Sequence, residues 1–179
     1  FPMIDQDTRL ADLKIPHLEM VLDEIFNLPP PWVSGDDARP ATVADLAKAT
    51  GLEQRGVMQK LQEIVDMMQD IEWLPTQLKN ALEPNVTQES SVPILVDVRE
   101  RWEYDVCHIP GSILLAEANF AELLPKLRQA SRVVTICHHG VRSFSAAMYL
   151  RQQGVASAVS LAGGVARWAD EIDPSMARY

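Results

Sequence analysis

Two hydrophobic patterns divide the chain. Between residues 18 and 82, apolar side chains recur every three or four positions, which is the spacing of an amphipathic helix. This spacing predicts a first half that is all helical, and Thr42 and Asp45 have the three-residue separation of a capping box at the start of one helix. The predicted helices lie at 18–26, 42–51 and 53–69, with a further helix either interrupted by Pro75 or beginning there.

After Pro93 the pattern changes to short β-branched runs that alternate with helical stretches. Runs that are apolar at successive positions are typical of strands buried on both faces of a parallel sheet. The second half is therefore predicted to be α/β with a mainly parallel sheet. Its predicted strands lie at 94–98, 112–115, 132–137 and 157–161, and its predicted helices at 100–106, 119–129 and 143–153.

Two polar stretches without periodicity separate these elements. The stretch at 29–40 is rich in Pro, Gly and Asp, and it is predicted to be a loop or linker. The stretch at 83–91 is polar and contains Pro84, so the domain boundary is predicted there. We therefore expect a small helical domain at 1–85 and an α/β domain at 91–179.

The charge is as uneven as the hydrophobic pattern. The net charge is -9, and residues 1–90 carry 7 Lys and Arg against 16 Asp and Glu, whereas residues 91–179 carry 9 of each. An acidic surface repels phosphate backbones, so nucleic acid is a poor partner for the first half. No apolar run reaches the length of a membrane span. With only Cys107 and Cys137, the chain has too few cysteines for a disulfide scaffold, and a reducing compartment, the cytoplasm, is the expected location.

The run Cys137-His-His-Gly-Val-Arg-Ser143 carries the candidate chemistry because it connects a predicted strand to a predicted helix. A strand-to-helix turn directs several backbone N–H groups into one concavity, which stabilises an anion. Those donors and Arg142 favour the thiolate of Cys137, the nucleophilic form. Gly140 is expected to keep the pocket clear of a side chain, and Ser143 can cap the helix. The residues alone also allow the alternative of a buried structural cysteine.

Cys137 and Arg142 are separated by four residues, and this run resembles the active-site loop of the rhodanese family. Two other stretches resemble the same family in the expected order: Asp97-Val-Arg-Glu-Arg-Trp-Glu103, running on to His108-Ile-Pro-Gly111, and Leu161-Ala-Gly-Gly-Val-Ala-Arg-Trp168. The resemblance covers about residues 91–172. It implies a rhodanese-like parallel sheet flanked by helices, preceded here by a small all-α domain.

The resemblance also implies a sulfurtransferase that needs no metal or organic cofactor. Such an enzyme moves a sulfane sulfur from a small anionic donor such as thiosulfate to cyanide, a thiol or a carrier protein. Cys137 would bear the sulfur as a persulfide, and Arg142 would attract the donor and fix the loop. The residues expected to bind the substrate are His138, His139, Gly140, Val141, Arg142 and Ser143.

Two alternative functions remain open at this point. Cysteine phosphatases of the same fold use a loop one residue longer, Cys-x5-Arg, so the short loop favours sulfur over phosphate. The stretch 42–52 resembles the helix-turn-helix of winged-helix regulators, which predicts a sulfur-responsive DNA-binding protein with a recognition helix near 53–64. The excess of acidic residues favours a docking module or a homodimer contact instead.

Several further residues are expected to be structural. A salt bridge is predicted for Asp97 with Arg99 or a neighbour, His108 is expected to be mainly structural, and Cys107 and Trp168 are expected to be packed. For His138 and His139, the sequence leaves open both a direct role and a place on the pocket rim.

Overall fold

The computed structural model describes residues 3–28, 40–83 and 92–179 of the chain. The predicted loop at 29–40 lies outside the described residues apart from Pro40, and the predicted linker at 83–91 does so apart from Glu83. The chain divides into two compact units, Phe1–Gln69 and Asp70–Tyr179.

The first unit contains the three predicted helices, α1 (Leu18–Phe26), α2 (Val43–Thr50) and α3 (Gln54–Met67). The predicted capping box is present, since the Asp45 N–H donates to Thr42 Oγ1 at 3.2 Å and the Thr42 N–H donates to the Asp45 carboxylate at 3.1 Å. Hydrogen bonds from Thr42 lower the pKa of Asp45. These contacts satisfy backbone donors that the first turn of α2 leaves without intrahelical partners.

The second unit is an α/β fold with five parallel strands, which confirms the predicted class. Along the sheet the strands are ordered β1-β5-β4-β2-β3. The strands are β1 (Glu72–Trp73), β2 (Ile94–Asp97), β3 (Ile113–Leu114), β4 (Val133–Ile136) and β5 (Ala158–Leu161). The helices are α4 (Pro75–Leu82), α5 (Arg101–Val106), α6 (Phe120–Gln129), α7 (Val141–Gln152) and α8 (Gly164–Glu171). Across the described ranges, no helix combines the length and apolar character that crossing a bilayer requires.

The central strands are buried on both faces, which accounts for their continuous apolar runs. Val134 and Ile136 lie in one hydrophobic cluster together with Trp168, which is 6% exposed and is a core residue as predicted. On alternate positions of the same strand, Thr135 is buried and its Oγ1 donates to the Ser143 carbonyl of α7 at 2.6 Å. Helices therefore cover both faces of this sheet, as expected for parallel strands.

The boundary between the units lies upstream of the predicted linker, because residues 71–82 belong to the α/β unit. The Ser160 N–H donates to the Ile71 carbonyl at 2.6 Å, and the Ala162 N–H donates to the Trp73 carbonyl at 2.8 Å, so β1 extends the sheet beside β5. Helix α4 begins at Pro75, and its Leu78 is fully buried in the α/β core. A strand of two residues has too few positions to show a period of two, and the flanking Ile71 and Leu74 matched a helical spacing instead.

Candidate active site

Cys137 lies directly after β4, at the carboxyl edge of the sheet, and only 1% of its surface is exposed. The Gly140 N–H donates to Cys137 Sγ at 3.1 Å. On the other side, the thiol donates to Ser143 Oγ at 3.2 Å. The sulfur is thus held between a backbone donor and a hydroxyl group at the entrance of α7, where open α/β sheets place their binding sites.

Gly140 is required here by its backbone and not by the width of the pocket. It precedes α7 with a φ of 93°, in the left-handed region that favours glycine. A Cβ atom at this position would lie 2.8 Å from the backbone nitrogen of Gly163 and 3.2 Å from the carbonyl oxygen of Leu161. The expectation that a side chain would obstruct the pocket is therefore corrected, since it would collide with the turn after β5.

The turn Gly163-Gly164 brings α8 against the cysteine loop. The Val165 N–H donates to the Cys137 carbonyl at 2.9 Å, and the Ala166 N–H donates to the His138 carbonyl at 3.1 Å. A Cβ on Gly164 would lie 2.4 Å from both carbonyl oxygens. The first N–H groups of α8, which have no partner within the helix, are thus satisfied by the loop.

Ser143 does not cap α7, contrary to the sequence prediction. The N-cap position is occupied by Gly140, and Ser143 is fully buried inside the helix. Its Oγ lies 2.7 Å from Ser160 Oγ on β5 and receives the Cys137 thiol hydrogen. Because α7 already begins at Val141, Ser143 lies within its first turn, and its side chain points across to the sheet. Ser143 is therefore a neighbour of Cys137.

Arg142 forms a bidentate ion pair with Glu103 of α5. Its Nη1 lies 2.8 Å from Glu103 Oε1, and its Nη2 donates to Oε2 at 2.9 Å. The Glu103 side chain is 5% exposed, whereas that of Arg142 is 48% exposed. The hydrogen bond from Arg142 lowers the pKa of Glu103 to about 2, despite the opposing effect of burial. The same bond raises the pKa of Arg142. The ion pair links the loop to α5, and the role of Arg142 toward a sulfur donor stays a prediction.

The predicted salt bridge at the end of β2 is confirmed. Arg99 Nη2 lies 2.7 Å from the Asp97 carboxylate, and neither side chain has exposed surface. Burial opposes the charge on Arg99, but hydrogen bonds to Asp97 and Tyr179 raise its pKa above the ordinary value. Arg99 also donates to the Cys107 carbonyl at 2.7 Å, so the pair anchors the segment that follows α5.

Tyr179 joins these two ion pairs. Its hydroxyl donates to Glu103 Oε2 at 2.7 Å and accepts from Arg99 Nη1 at 2.8 Å. Its ring stacks on His138 of the loop, with the ring centres 4.1 Å apart. Burial raises the pKa of Tyr179 to about 12, so it stays a neutral phenol at neutral pH. The sequence did not predict a role for Tyr179, because this residue belongs to no motif. Glu103 lies within the Asp97–Glu103 motif, but its partner could not be predicted from the motif.

The two loop histidines stack on one another with ring centres 3.9 Å apart. His138 is half-buried, and desolvation, with a smaller effect from His139, lowers its pKa. Together with Cys107 and Tyr179 they line a pocket of about 160 Å³. Both histidines thus line this pocket, and a direct role in the chemistry stays a prediction.

Three further residues singled out in the sequence lie at the helix start, in the core and just after α5. Val141 is the first residue of α7 and is 46% exposed. Cys107 is 9% exposed within the hydrophobic cluster. His108 has its Nδ1 2.8 Å from the Tyr104 carbonyl oxygen and stacks on the Tyr104 ring at 3.8 Å, which is a structural role. Within residues 3–28, 40–83 and 92–179, no three His, Cys, Asp or Glu side chains come together as metal ligands would.

The chain matches the family described as the rhodanese-like domain over residues 74–171, more than half of its length. It belongs to the rhodanese-like family. The matched range begins directly after β1 and includes α4, the cysteine loop and α8, so the family domain begins upstream of the boundary predicted from the sequence.

Relatives of this rhodanese-like chain carry sulfurtransferase names. The "Probable adenylyltransferase/sulfurtransferase MoeZ" of Mycobacterium tuberculosis (strain CDC 1551 / Oshkosh) is 39% identical over 87 residues, which cover 48% of this chain and 22% of the relative. The "Thiosulfate sulfurtransferase GlpE" of Pseudoalteromonas translucida is 35% identical over 75 residues, covering 42% of this chain and 71% of the relative. The chain thus spans less than a quarter of the mycobacterial relative.

A solved structure is also similar. The crystal structure of a rhodanese-related protein from Thermoplasma volcanium is 27% identical, covers 56% of this chain and 92% of its own, and has a TM-score of 0.43.

Proposed function

We propose that this protein is a sulfurtransferase that carries a sulfane sulfur as a persulfide on Cys137. The observation that carries the proposal is the position of Cys137 Sγ, 3.1 Å from the Gly140 N–H at the entrance of α7 in a rhodanese-like chain. A donor at that position stabilises negative charge on sulfur, which is present both in the attacking thiolate and in the persulfide.

The reaction needs two displacements at sulfur and no outside oxidant. In the first, the Cys137 thiolate attacks the outer sulfur of the donor, an S–S bond forms, and the donor's own S–S bond breaks. Its electron pair leaves with the remainder of the donor, which is sulfite when the donor is thiosulfate. In the second, an acceptor thiolate or cyanide attacks the bound sulfur, and the electron pair of the broken bond returns to Cys137 as a thiolate.

Ser143 has a definite part in this cycle. Its hydroxyl accepts the thiol hydrogen while Cys137 is protonated, and by rotation it donates to sulfur when Cys137 is a thiolate. The adjacent Ser160 hydroxyl at 2.7 Å supplies the second hydrogen-bond partner in both states. The buried hydroxyl pair therefore follows the charge on the sulfur without leaving an unpaired polar group.

Phosphate chemistry is the competing activity on this type of loop, and loop length argues against it. Four residues separate Cys137 from Arg142, one fewer than in the Cys-x5-Arg loops of phosphatases, so fewer backbone donors surround the centre. An aryl phosphate assay beside a thiosulfate:cyanide assay compares the two activities. We expect thiocyanate without phosphate release, and efficient phosphate release alone would reverse the ranking.

Intact-mass measurement tests the main proposal. Incubation with a sulfane-sulfur donor is expected to add one sulfur to the wild type and to Cys107→Ser, but none to Cys137→Ser. Cys107 is the matched control because both cysteines are buried and reduced. Addition of sulfur to Cys137→Ser would show that the persulfide forms elsewhere. The requirement for a reduced thiol also supports a cytoplasmic location.

For residues 1–69 we propose a docking role toward a protein or a second copy of the chain, in preference to DNA. The acidic excess of this half supports the proposal. One cation of the candidate recognition helix, Lys60, lies 5.5 Å over the Phe26 ring within the same unit, so it is not extended toward a groove. Sedimentation of the full chain as a dimer would support docking to a second copy. Failure of the full chain to retard duplex DNA at low salt would support docking over DNA binding. Tight, salt-sensitive retardation would indicate a regulator.

A further inference from the structure

The charge of Arg142 in the active-site loop is neutralised by the Glu103 carboxylate, which accepts four hydrogen bonds. Glu103 accepts two hydrogen bonds from Arg142, one from the Tyr179 hydroxyl at 2.7 Å and one from the Glu100 N–H at 3.2 Å. With 5% of its side chain exposed, this carboxylate has little freedom to leave Arg142 when a ligand arrives. Without its cation, the buried carboxylate would be destabilised, because its charge would have neither water nor a counter-ion to balance it.

The other arginines near the loop are paired as well. Arg99 is held by Asp97, with both side chains fully buried, and Arg178, which lines the pocket beside His138, is paired with Asp170. The lowered pKa of His138 keeps this ring neutral at neutral pH. Arg99, Arg142 and Arg178 are therefore each held in an ion pair with a carboxylate among the described residues.

We propose that this site takes its sulfur from neutral or singly charged sulfane donors, such as alkyl persulfides and thiosulfonates, in preference to the thiosulfate dianion. This inference rests on the proposed sulfurtransferase function. Cys137 Sγ is almost fully buried, so a donor must lose water to reach it. Backbone N–H groups can compensate one negative charge on the transferred sulfur, but a second charge would be buried beside arginines that already have carboxylate partners.

The chemistry with such donors balances without a co-reactant. With an alkyl hydropersulfide, the Cys137 thiolate attacks the terminal sulfur, the new S–S bond forms, and the donor's S–S bond breaks. The electron pair leaves with the alkyl thiolate, and the proton stays on the transferred sulfur. With methanethiosulfonate, the leaving group is methanesulfinate. In both cases the S–S bond broken in the donor is replaced by the S–S bond formed on Cys137, so no external oxidant or reductant is needed.

Two nearly isosteric donors test the proposal in the full-length chain. Thiosulfate and methanethiosulfonate transfer the same sulfur, and a methyl group in one replaces a charged oxygen in the other. Rate constants for persulfide formation on Cys137 are measured by rapid quench and intact mass, and each is divided by the rate constant of the same donor with a small alkyl thiol. We expect methanethiosulfonate to be favoured by about tenfold or more after this correction.

Salt provides a second measurement on the wild type. If the site offers no net positive charge, the thiosulfate rate stays constant or rises as ionic strength increases from about 0.02 to about 0.5 M, since the chain as a whole carries -9. A corrected preference for thiosulfate, together with a thiosulfate rate that falls several-fold with salt, would overturn the inference.

Glu103→Gln examines the neutralising carboxylate directly. It releases the charge of Arg142 while an amide oxygen remains to accept from Tyr179, so the ratio of thiosulfate to methanethiosulfonate rates should rise about tenfold. The control is Asp105→Asn, which removes the same charge from α5 at an exposed ion pair with Arg101 and should leave the ratio within about twofold. A rise no greater than that of the control would contradict the inference. Absence of persulfide from either donor in the wild type would instead overturn the proposed function itself.

Discussion

The contact between α8 and the cysteine loop makes Gly164→Ala the sharpest test of how the loop is held. Gly164 has a φ of 61°, and a Cβ there would lie 2.4 Å from the carbonyl oxygens of Cys137 and His138. Both oxygens are backbone atoms, so neither can move aside without displacing the loop. A real Cβ contact is essentially never shorter than 3.0 Å, and the loop must therefore retreat by about 0.6 Å.

The magnitude follows from two contributions. Left-handed backbone costs alanine about 1–2 kcal/mol relative to glycine. The retreat also weakens the hydrogen bonds from Val165 and Ala166 to the loop carbonyls, and at about 1 kcal/mol each these add about 2 kcal/mol. We expect the free energy of unfolding to fall by about 3–4 kcal/mol. Because Cys137 moves with the loop, the rate of sulfur transfer should fall by about 10- to 100-fold.

Gly111→Ala is the matched control. Gly111 has a φ of 87°, and no atom lies within 4 Å of the position of its Cβ, so the substitution carries backbone strain without a collision. Urea unfolding should show a loss of about 1–2 kcal/mol for this control, and persulfide formation from methanethiosulfonate should be unchanged. Equal destabilisation by the two substitutions, or full activity of Gly164→Ala, would refute the reasoning that α8 positions the loop.

Three further predictions concern ion pairs and a helix cap. Asp97→Asn should lower the free energy of unfolding by about 3–5 kcal/mol, because it leaves the buried charge of Arg99 without its partner; a denaturant midpoint close to wild type would contradict this. The pKa of Glu103 is lowered to about 2 from 4.5, so its ion pair stabilises the fold above pH 4.5 and loses this contribution as the pH falls toward 2. The stability difference between wild type and Glu103→Gln should therefore shrink over that range, and a difference independent of pH would exclude this linkage. Thr42→Ala should destabilise the first unit by about 1 kcal/mol in thermal unfolding followed by circular dichroism, with sulfur transfer unaffected; an unchanged midpoint would mean that the cap contributes little.

The elements that the sequence determined are those whose signal is local. The four-residue strands are apolar at successive positions because helices cover both faces of the sheet, and this pattern can be recognised without knowing the neighbours. The capping box at Thr42 and the cysteine turn are also local, since each is formed by residues within a few positions of one another. Local chemistry thus predicted the candidate nucleophile and the loop that holds it.

The partners of the loop were decided by the tertiary structure. Arg142 meets Glu103, which is 39 positions away, and Tyr179 reaches the same carboxylate from 76 positions away. Ser143 turns to Ser160 instead of capping its helix, and the two-residue strand β1 forms only because β5 provides its hydrogen-bond partners. The spacing of a motif predicts where an arginine lies, but it does not predict which carboxylate pairs with that arginine. The counter-ion depends on how the crossovers between parallel strands bring distant helices together at one edge of the sheet. The charge presented to a sulfur donor is therefore a property of the folded site.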